Sequence, residues 1–391
     1  MTEEKNRAWV EIDLDALEEN FKNIKSLLKP ETKIMCVVKA DAYGHGYEEV
    51  SHTLLKNGAD CLAVGTVEEA VQLRKLGIDS EILILGYTEK SVMRDLVYYD
   101  IASAVFDFKT AEELSKEAQK QGKTAKVHIK IDTGMTRIGY SVTESSADEI
   151  IKITKLSGLY VEGMFSHFSK ADENDKSYSE FQFNNFLKMD EMLKKRGFSV
   201  PLKHISNSAS IMEMPEYQLD MVRPGIILYG IYPSCEVDKK RLKLKPVMSI
   251  KAHISRVREV EKGTRVSYGG IYEAKTDGEK IATVPVGYAD GYTRLLTGKT
   301  EMIAKGKAVP VVGRICMDQC MIDVSSVHNI DVGDEVIVMG KEGDIDIGAE
   351  YLAKKAGTIG YEIVCMAGKR LRRFYIKNAE TKKVLNYLEK W

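Results

Sequence analysis

The chain has few of the residues that announce a metal centre or a disulfide scaffold. Six cysteines, at 36, 61, 235, 316, 320 and 365, are spread over 391 residues and form no C-x-x-C pair. That spacing argues against a disulfide framework or a zinc site and fits a reduced, cytosolic setting. The seven histidines show no H-E-x-x-H or other paired ligand spacing, so no metal is expected. Charge of one sign is also missing: 57 Lys and Arg stand against 58 Asp and Glu, a net charge of −1. Such a balance gives no electrostatic reason to bind nucleic acid or an anionic membrane. No run approaches the ~18 apolar residues needed to cross a bilayer. The opening stretch MTEEKNRAWVEID has no apolar signal core. A soluble protein is the expectation.

What is present is an ordinary globular composition, 44% apolar and 29% charged, in a chain long enough for one large domain and a smaller one. Leu14, Leu17, Phe21, Ile24, Leu27 and Leu28 recur at helical spacing. Short strand-like runs follow at 34–38, 61–64, 82–85, 101–105, 126–131, 160–165, 202–205 and near 226–229. Helical patterns at 68–76, 110–121, 144–156 and 175–196 lie between them. Eight strands alternating with helices are what a (β/α)8 TIM barrel requires. Pattern alone leaves an open doubly wound sheet as the alternative, but no G-x-G-x-x-G follows the first strand. At the charged run Lys239–Pro246 the composition changes, and we read a solvated crossing between domains. Beyond it, strand patterns broken by Gly, Asp and Asn dominate, with one helix near 349–356. The expected fold is α/β, with a barrel over 1–243 and a predominantly β domain over 244–391.

The stretch Val37–Gly46, VVKADAYGHG, places Lys39 just after a buried strand, with Gly44 and Gly46 free to turn the chain away. A lysine at an apolar rim loses its proton more easily and can form a Schiff base with a carbonyl cofactor. Alone, the stretch reads more readily as a surface lysine at a strand end. Other polar residues fall at equivalent places. Arg137, His167, Asn207, Ser208 and Arg223 follow strands or lie in the next loop, so a barrel would gather them on one face. Asn207, Ser208, Gly225 and Ile226 fall after the seventh and eighth strands, where barrels commonly hold phosphate. An N-cap for Ser208 and a plain turn for Gly225 are the simpler readings of each in isolation. Tyr268, between Val266-Ser267 and Gly269-Gly270, is a loop tyrosine that becomes an acid/base candidate only if it faces a cofactor.

VVKADAYGHG, KIDTGMTRIG (130–139), SHFSKAD (166–172), HISNSAS (204–210), RPGIILYGIYPS (223–234), VSYGG (266–270), GYADGY (287–292), GRICMDQ (313–319) and GTIGYEI (357–363) together resemble the alanine racemases, in that family's order. The resemblance implies a homodimeric isomerase that uses pyridoxal 5'-phosphate to interconvert L- and D-alanine for peptidoglycan synthesis. It implies the cofactor on Lys39, with Lys39 and Tyr268 as the two acid/base groups on opposite faces of Cα. The phosphate would be held by Ser208, Gly225, Ile226, Tyr43 and Tyr361. Arg223 would face the ring nitrogen, and His167 would bridge Arg223 and Tyr268. Arg137 would serve the substrate carboxylate or the cofactor's phenolic oxygen. Tyr288, Met317 and Asp318 match positions lining the entrance or substrate site, and Lys130 matches a position that can be carbamylated. Cys36 and Thr136 depart from the pattern, the latter replacing a frequent glycine. Other readings are a related decarboxylase, which would want an acid where Arg223 stands, a serine or broad-specificity racemase, and a non-catalytic cofactor-binding protein.

Overall fold

The computed structural model describes residues 5–389; the first four residues of the expected barrel and the last two of the expected β domain lie outside it. Eight parallel strands close on themselves: Lys33–Val37, Cys61–Val64, Glu81–Ile84, Ala102–Val105, Ala125–Asp132, Leu159–Phe165, Leu202–His204 and Met221–Val222. Closure is made by Met221–Val222, which pairs with both Lys33–Val37 and Leu202–His204. These strands are almost wholly buried and mostly apolar, with His128, Lys130 and His204 as buried polar exceptions in the barrel interior.

Seven of the eight barrel strands coincide with sequence expectation to within a residue or two. The eighth does not. The apolar run Ile226–Tyr229 is a short 3-10 helix, and the closing strand is the two-residue segment before it. Burial on every side hides periodicity, and an apolar run of four carries no signal that separates helix from strand. Gly230, at φ 78°, ends the helix in the left-handed region. Among the helices, Val67–Lys75, Phe108–Lys120, Glu144–Ile153 and Ser177–Lys195 sit where the helical patterns lie. The first of these is capped by Thr66 and the second by Asp107, whose side chains accept amides of their first turns.

A ten-stranded sheet forms the second layer system. Its order runs Arg256–Val260, Glu279–Val284, Cys320–Asp323, Lys307–Val312, Glu301–Ala304, Glu335–Met339, Met248–His253, Ala8–Asp13, Arg372–Lys377 and Glu380–Leu385. Ala8–Asp13 and the edge strand Glu380–Leu385 are strands that sequence reading did not foresee. Ala8–Asp13 is antiparallel to Met248–His253 and parallel to Arg372–Lys377, so residues 8–13, expected in the 1–243 barrel, belong instead to the β domain's sheet. The Arg7 guanidinium reinforces this by holding the fully buried Asp290 carboxylate at 2.6 and 3.1 Å. The crossing segment is pinned by Asn20, whose amide donates to Leu228 O and Lys245 O and accepts from Lys245 N. No helix among the described residues is long and apolar enough to cross a membrane.

Candidate active site

At the carboxyl ends of the barrel strands lies a cavity of about 540 Å³. Lys39, Tyr43, Lys130, Arg137, His167, Asn207, Ser208, Arg223, Gly225, Ile226 and Tyr361 all line it. The barrel therefore brings together eleven residues that sequence reading had placed at strand ends, in following loops or in matched motifs.

Lys39 leaves the first strand into an unusual turn. Ala40, Asp41, Ala42 and Tyr43 have φ of 53°, 56°, 51° and 54°, a left-handed helical turn made entirely of residues with a Cβ. At roughly 1–2 kcal/mol each, that backbone stores several kcal/mol that the surroundings must offset. Glu69 does so by accepting the Ala40 and Gly65 amides at 2.6 and 2.8 Å. Asp41 accepts the Tyr47 amide and the Tyr387 hydroxyl. Arg373, fully buried, donates to the carbonyls of Gly44, Ala367, Gly368 and Leu371, tying the turn to the β domain. Gly44 and Gly46 are required for closeness as well as for φ: a Cβ would strike Val364 O at the first and Tyr375 Oη at the second. The sharp turn expected at these glycines thus begins four residues earlier. Glu69, Arg373 and Tyr387 carried no local signal for this turn, since each reaches it from far away in sequence.

The electrostatics are one-sided. Burial and then Arg137 lower the Lys39 amine below the usual lysine range. Burial, Arg223 and Arg137 push Lys130 down to about 7. Its amine donates to Ile131 O at 2.8 Å and lies 5.3 Å over the Phe165 ring. Arg223 is buried, and burial alone brings it to about 9. Its guanidinium donates to Ser166 O at 2.6 Å, Ile205 O at 3.1 Å and His204 Nδ1 at 2.7 Å, with His167 Nδ1 at 3.4 Å. No carboxylate among the described residues pairs with Arg223 or Arg137. Burial, Arg223 and Arg137 hold His167 well below the usual imidazole range, hence neutral.

The opposite wall is an anion cradle. Ser208 opens the helix Ser208–Glu213 and Ile226 opens the short helix after Gly225, so two sets of first-turn amides meet here. The Gly225 amide donates to Ser208 Oγ at 2.9 Å, which leaves the hydroxyl proton free to point into the cavity. A Cβ at Gly225 would stand 2.8 Å from Tyr43 Oη and close the cradle. Burial raises the Tyr43 and Tyr361 phenols, keeping them protonated donors. Asn207 works as a scaffold: it caps the helix through Ser210 N and donates to Phe168 O. A phosphate-bearing carbonyl cofactor fits these residues.

Tyr268, Met317 and Asp318 do not join this cavity within the chain. They line a separate, more open hollow of about 670 Å³, and Tyr268 is 70% exposed. Its position is nevertheless built. Ser267 sits at φ 65° and donates its hydroxyl to Arg314 O at 2.6 Å. A Cβ at Gly313 would meet Ser267 Cβ at 2.7 Å. Exposed Tyr288 is joined to the same region by its amide, which donates to Cys316 O. Asp318 pairs with Arg370 at 2.8 Å, a partner not foreseen from sequence.

These features define a class: a closed (β/α)8 barrel whose mouth sets a deprotonatable lysine against an anion cradle, with an arginine rather than an acid at its floor. The chain belongs to the alanine racemase family. Residues 12–233 match the family's N-terminal domain and residues 247–375 its C-terminal domain. It is 50% identical over 382 residues to an alanine racemase of Clostridium novyi, covering 97% of this chain and 98% of that one. The alanine racemase of Clostridium difficile 630 superposes with a TM-score of 0.95 at 46% identity, over 99% of this chain and 100% of the other. The crystal structure of the Bacillus anthracis alanine racemase with bound L-Ala-P gives 0.94 at 37% identity, covering 100% of both.

Proposed function

We propose that this chain interconverts L- and D-alanine with pyridoxal 5'-phosphate at the barrel mouth. The observation that carries the reading is Lys39, a lysine of lowered pKa facing the Ser208–Gly225 cradle across a cavity lined by cations. Ser208, Gly225, Ile226, Tyr43 and Tyr361 would hold the phosphate, and Lys39 would carry the carbonyl carbon. Bound there, the cofactor supplies the electron withdrawal that makes the substrate's Cα–H acidic.

The protein's own task is to move one proton from face to face. Lys39 serves one face of Cα, and Tyr268 serves the other; in this assignment the lysine acts on the D enantiomer and the tyrosine on the L enantiomer. Arg223 donates a hydrogen bond toward the ring nitrogen and, even lowered to about 9, keeps its proton at neutral pH, which keeps charge from accumulating on the ring. Neutral His167 accepts from Arg223 through Nδ1 and offers Nε2 to the tyrosine. Arg137, free of carboxylates, pairs the substrate carboxylate or the cofactor's phenolic oxygen. Lys130 as a carbamate would become an anion holding Arg137.

Because one chain keeps Tyr268, Met317 and Asp318 apart from Lys39, the active form is a two-fold homodimer in which the partner subunit's β domain completes each site. Tyr288 belongs to the same contributed wall. Apart from Ala8–Asp13, which joins the β domain's sheet, the division at residues 243 and 244 then separates the cofactor-holding barrel from the β domain that completes a neighbour's site. A cytoplasmic enzyme supplying D-alanine to peptidoglycan follows from this reading. Purified protein loaded with pyridoxal 5'-phosphate and given L-alanine, L-serine or L-lysine tests it by chiral product analysis. D-alanine formed well ahead of the other D products is the expected result; none from the loaded protein would sink the reading.

A further inference from the structure

Behind Arg223 a line of hydrogen bonds runs down the inside of the barrel, away from the cavity. Arg223 Nη1 stands 2.7 Å from His204 Nδ1, His204 Nε2 stands 2.9 Å from His128 Nδ1, and His128 Nε2 stands 3.1 Å from Glu162 Oε2. Both imidazoles and the guanidinium are buried. Glu162 reaches the amino-terminal end of the barrel, where Lys126, 4.0 Å away, also pairs with Glu81.

The fold makes room for this line. Along the pair of strands Ala125–Asp132 and Leu159–Phe165, Val127 faces Val161 while His128 faces Gly163. Glu162 is therefore an extra residue, a β-bulge that redirects its side chain. A Cβ at Gly163 would stand 2.5 Å from His128 Nδ1, so only glycine leaves the ring its place. Phe165 stacks on His204 at 5.0 Å and 4°, fixing the second ring.

The direction of every bond follows from its two ends. A guanidinium can only donate, so His204 Nδ1 must accept and its proton sits on Nε2. That proton is donated to His128 Nδ1, which leaves the His128 proton on Nε2, facing a carboxylate that only accepts. Reversing either tautomer sets N–H against N–H in a dry interior. We infer that Glu162 and His128 are positioning residues for Arg223: the bulged glutamate fixes both histidine tautomers and so holds an unpaired arginine, with its donors aimed, at the floor of the site. The His128 hydrogen bond is the largest influence holding the Glu162 carboxyl below its usual range, as an accept-only terminus requires. This assigns a role in the site to a residue at the barrel face where structural roles are the default.

The test has two arms. In 15N-histidine-labelled holoenzyme, His128 and His204 should both show the neutral Nε2–H form. This arm does not depend on the racemase reading, whereas the kinetic arm rests on it. Glu162→Leu should leave the His128 Nε2–H without an acceptor, shift that nitrogen's signal, and lower kcat for alanine about tenfold while KM stays within about twofold. Glu162→Gln keeps an acceptor of the same reach and should recover most of the lost kcat and the His128 Nε2 signal. The proposal is overturned by an Nδ1–H or cationic imidazole at either position, or by unchanged kcat in Glu162→Leu. A Glu162→Gln enzyme as impaired as the leucine variant would overturn it too. Should the leucine variant not fold, the wild-type spectrum and Glu162→Gln still decide.

Discussion

Lys130 is buried among cations, and that decides its chemistry. Its folded pKa of about 7 lies below the unfolded value near 10.4, so the unfolded chain binds more protons through that window. Stability therefore rises with pH from about 7 upward, and the cost of the buried ammonium is fully present below it. Only the neutral amine attacks carbon dioxide. With 13C-bicarbonate, a carbamate signal on Lys130 should be strong near pH 8, fade toward about pH 6, and vanish in Lys130→Ala. A signal that ignores pH, or survives the substitution, removes the carbamate from the site. Thr136 makes a second case at this scale. It sits at φ 56°, with its amide held by Asp132 Oδ1 at 3.0 Å, which is why glycine is the easier residue there. Thr136→Gly should relieve roughly 1–2 kcal/mol of backbone strain and lose about 0.5–1 kcal/mol to added unfolded-chain entropy. A small net rise in Tm is expected, and a fall would mean that the threonine side chain does more than occupy space.

Among the elements, the turn Lys39–Tyr43 is held from outside rather than by its own propensity. Its left-handed backbone is unfavourable for alanine and aspartate alike, and Arg373 supplies donors to Gly44 O and three neighbouring carbonyls. Arg373→Met would leave those buried acceptors unsatisfied, at about 1–3 kcal/mol for each one that water cannot reach. Denaturant unfolding should show a loss of at least about 3 kcal/mol. Hydrogen exchange should accelerate at residues 40–46 before it does in the barrel strands. Uniform loosening of the whole chain would show that the arginine supports the β domain alone.

For the molecule as a whole, the separation of Tyr268 from Lys39 is the informative fact. A barrel mouth that must exclude water needs a cover, and a second β domain can provide it. Lys39→Ala and Tyr268→Phe subunits, each nearly inactive, should complement when unfolded and refolded together. Random pairing makes about half of the dimers mixed, each with one intact site, so roughly a quarter of wild-type activity should return. Activity no greater than the sum of the two variants, with mixed dimers verified by differential tags, would place both groups in one chain.

Much of this was readable before any fold was known. Alternation of strand and helix patterns specified a parallel sheet covered by helices, because burying both of its faces demands that rhythm, and the polar residues at strand ends favoured the closed barrel over an open sheet. Motif order pointed to the family, and the strand-end rule gathered Lys39, Arg137, His167, Ser208 and Arg223. The parts that stayed hidden share one physical cause: they are pairings between residues remote in sequence, whose local composition is ordinary. Ala8–Asp13 became a strand only because Met248–His253 and Arg372–Lys377 offered it edges. Met221–Val222 rather than Ile226–Tyr229 closed the barrel because Gly225 and Gly230 coil the apolar run. Glu69 and Arg373 became supports of the lysine turn, and Glu162, His128 and His204 a single line behind Arg223, only once the barrel had closed. Local patterning determined which elements form and which residues reach the mouth; tertiary contact decided how those residues are held, ionised and aimed.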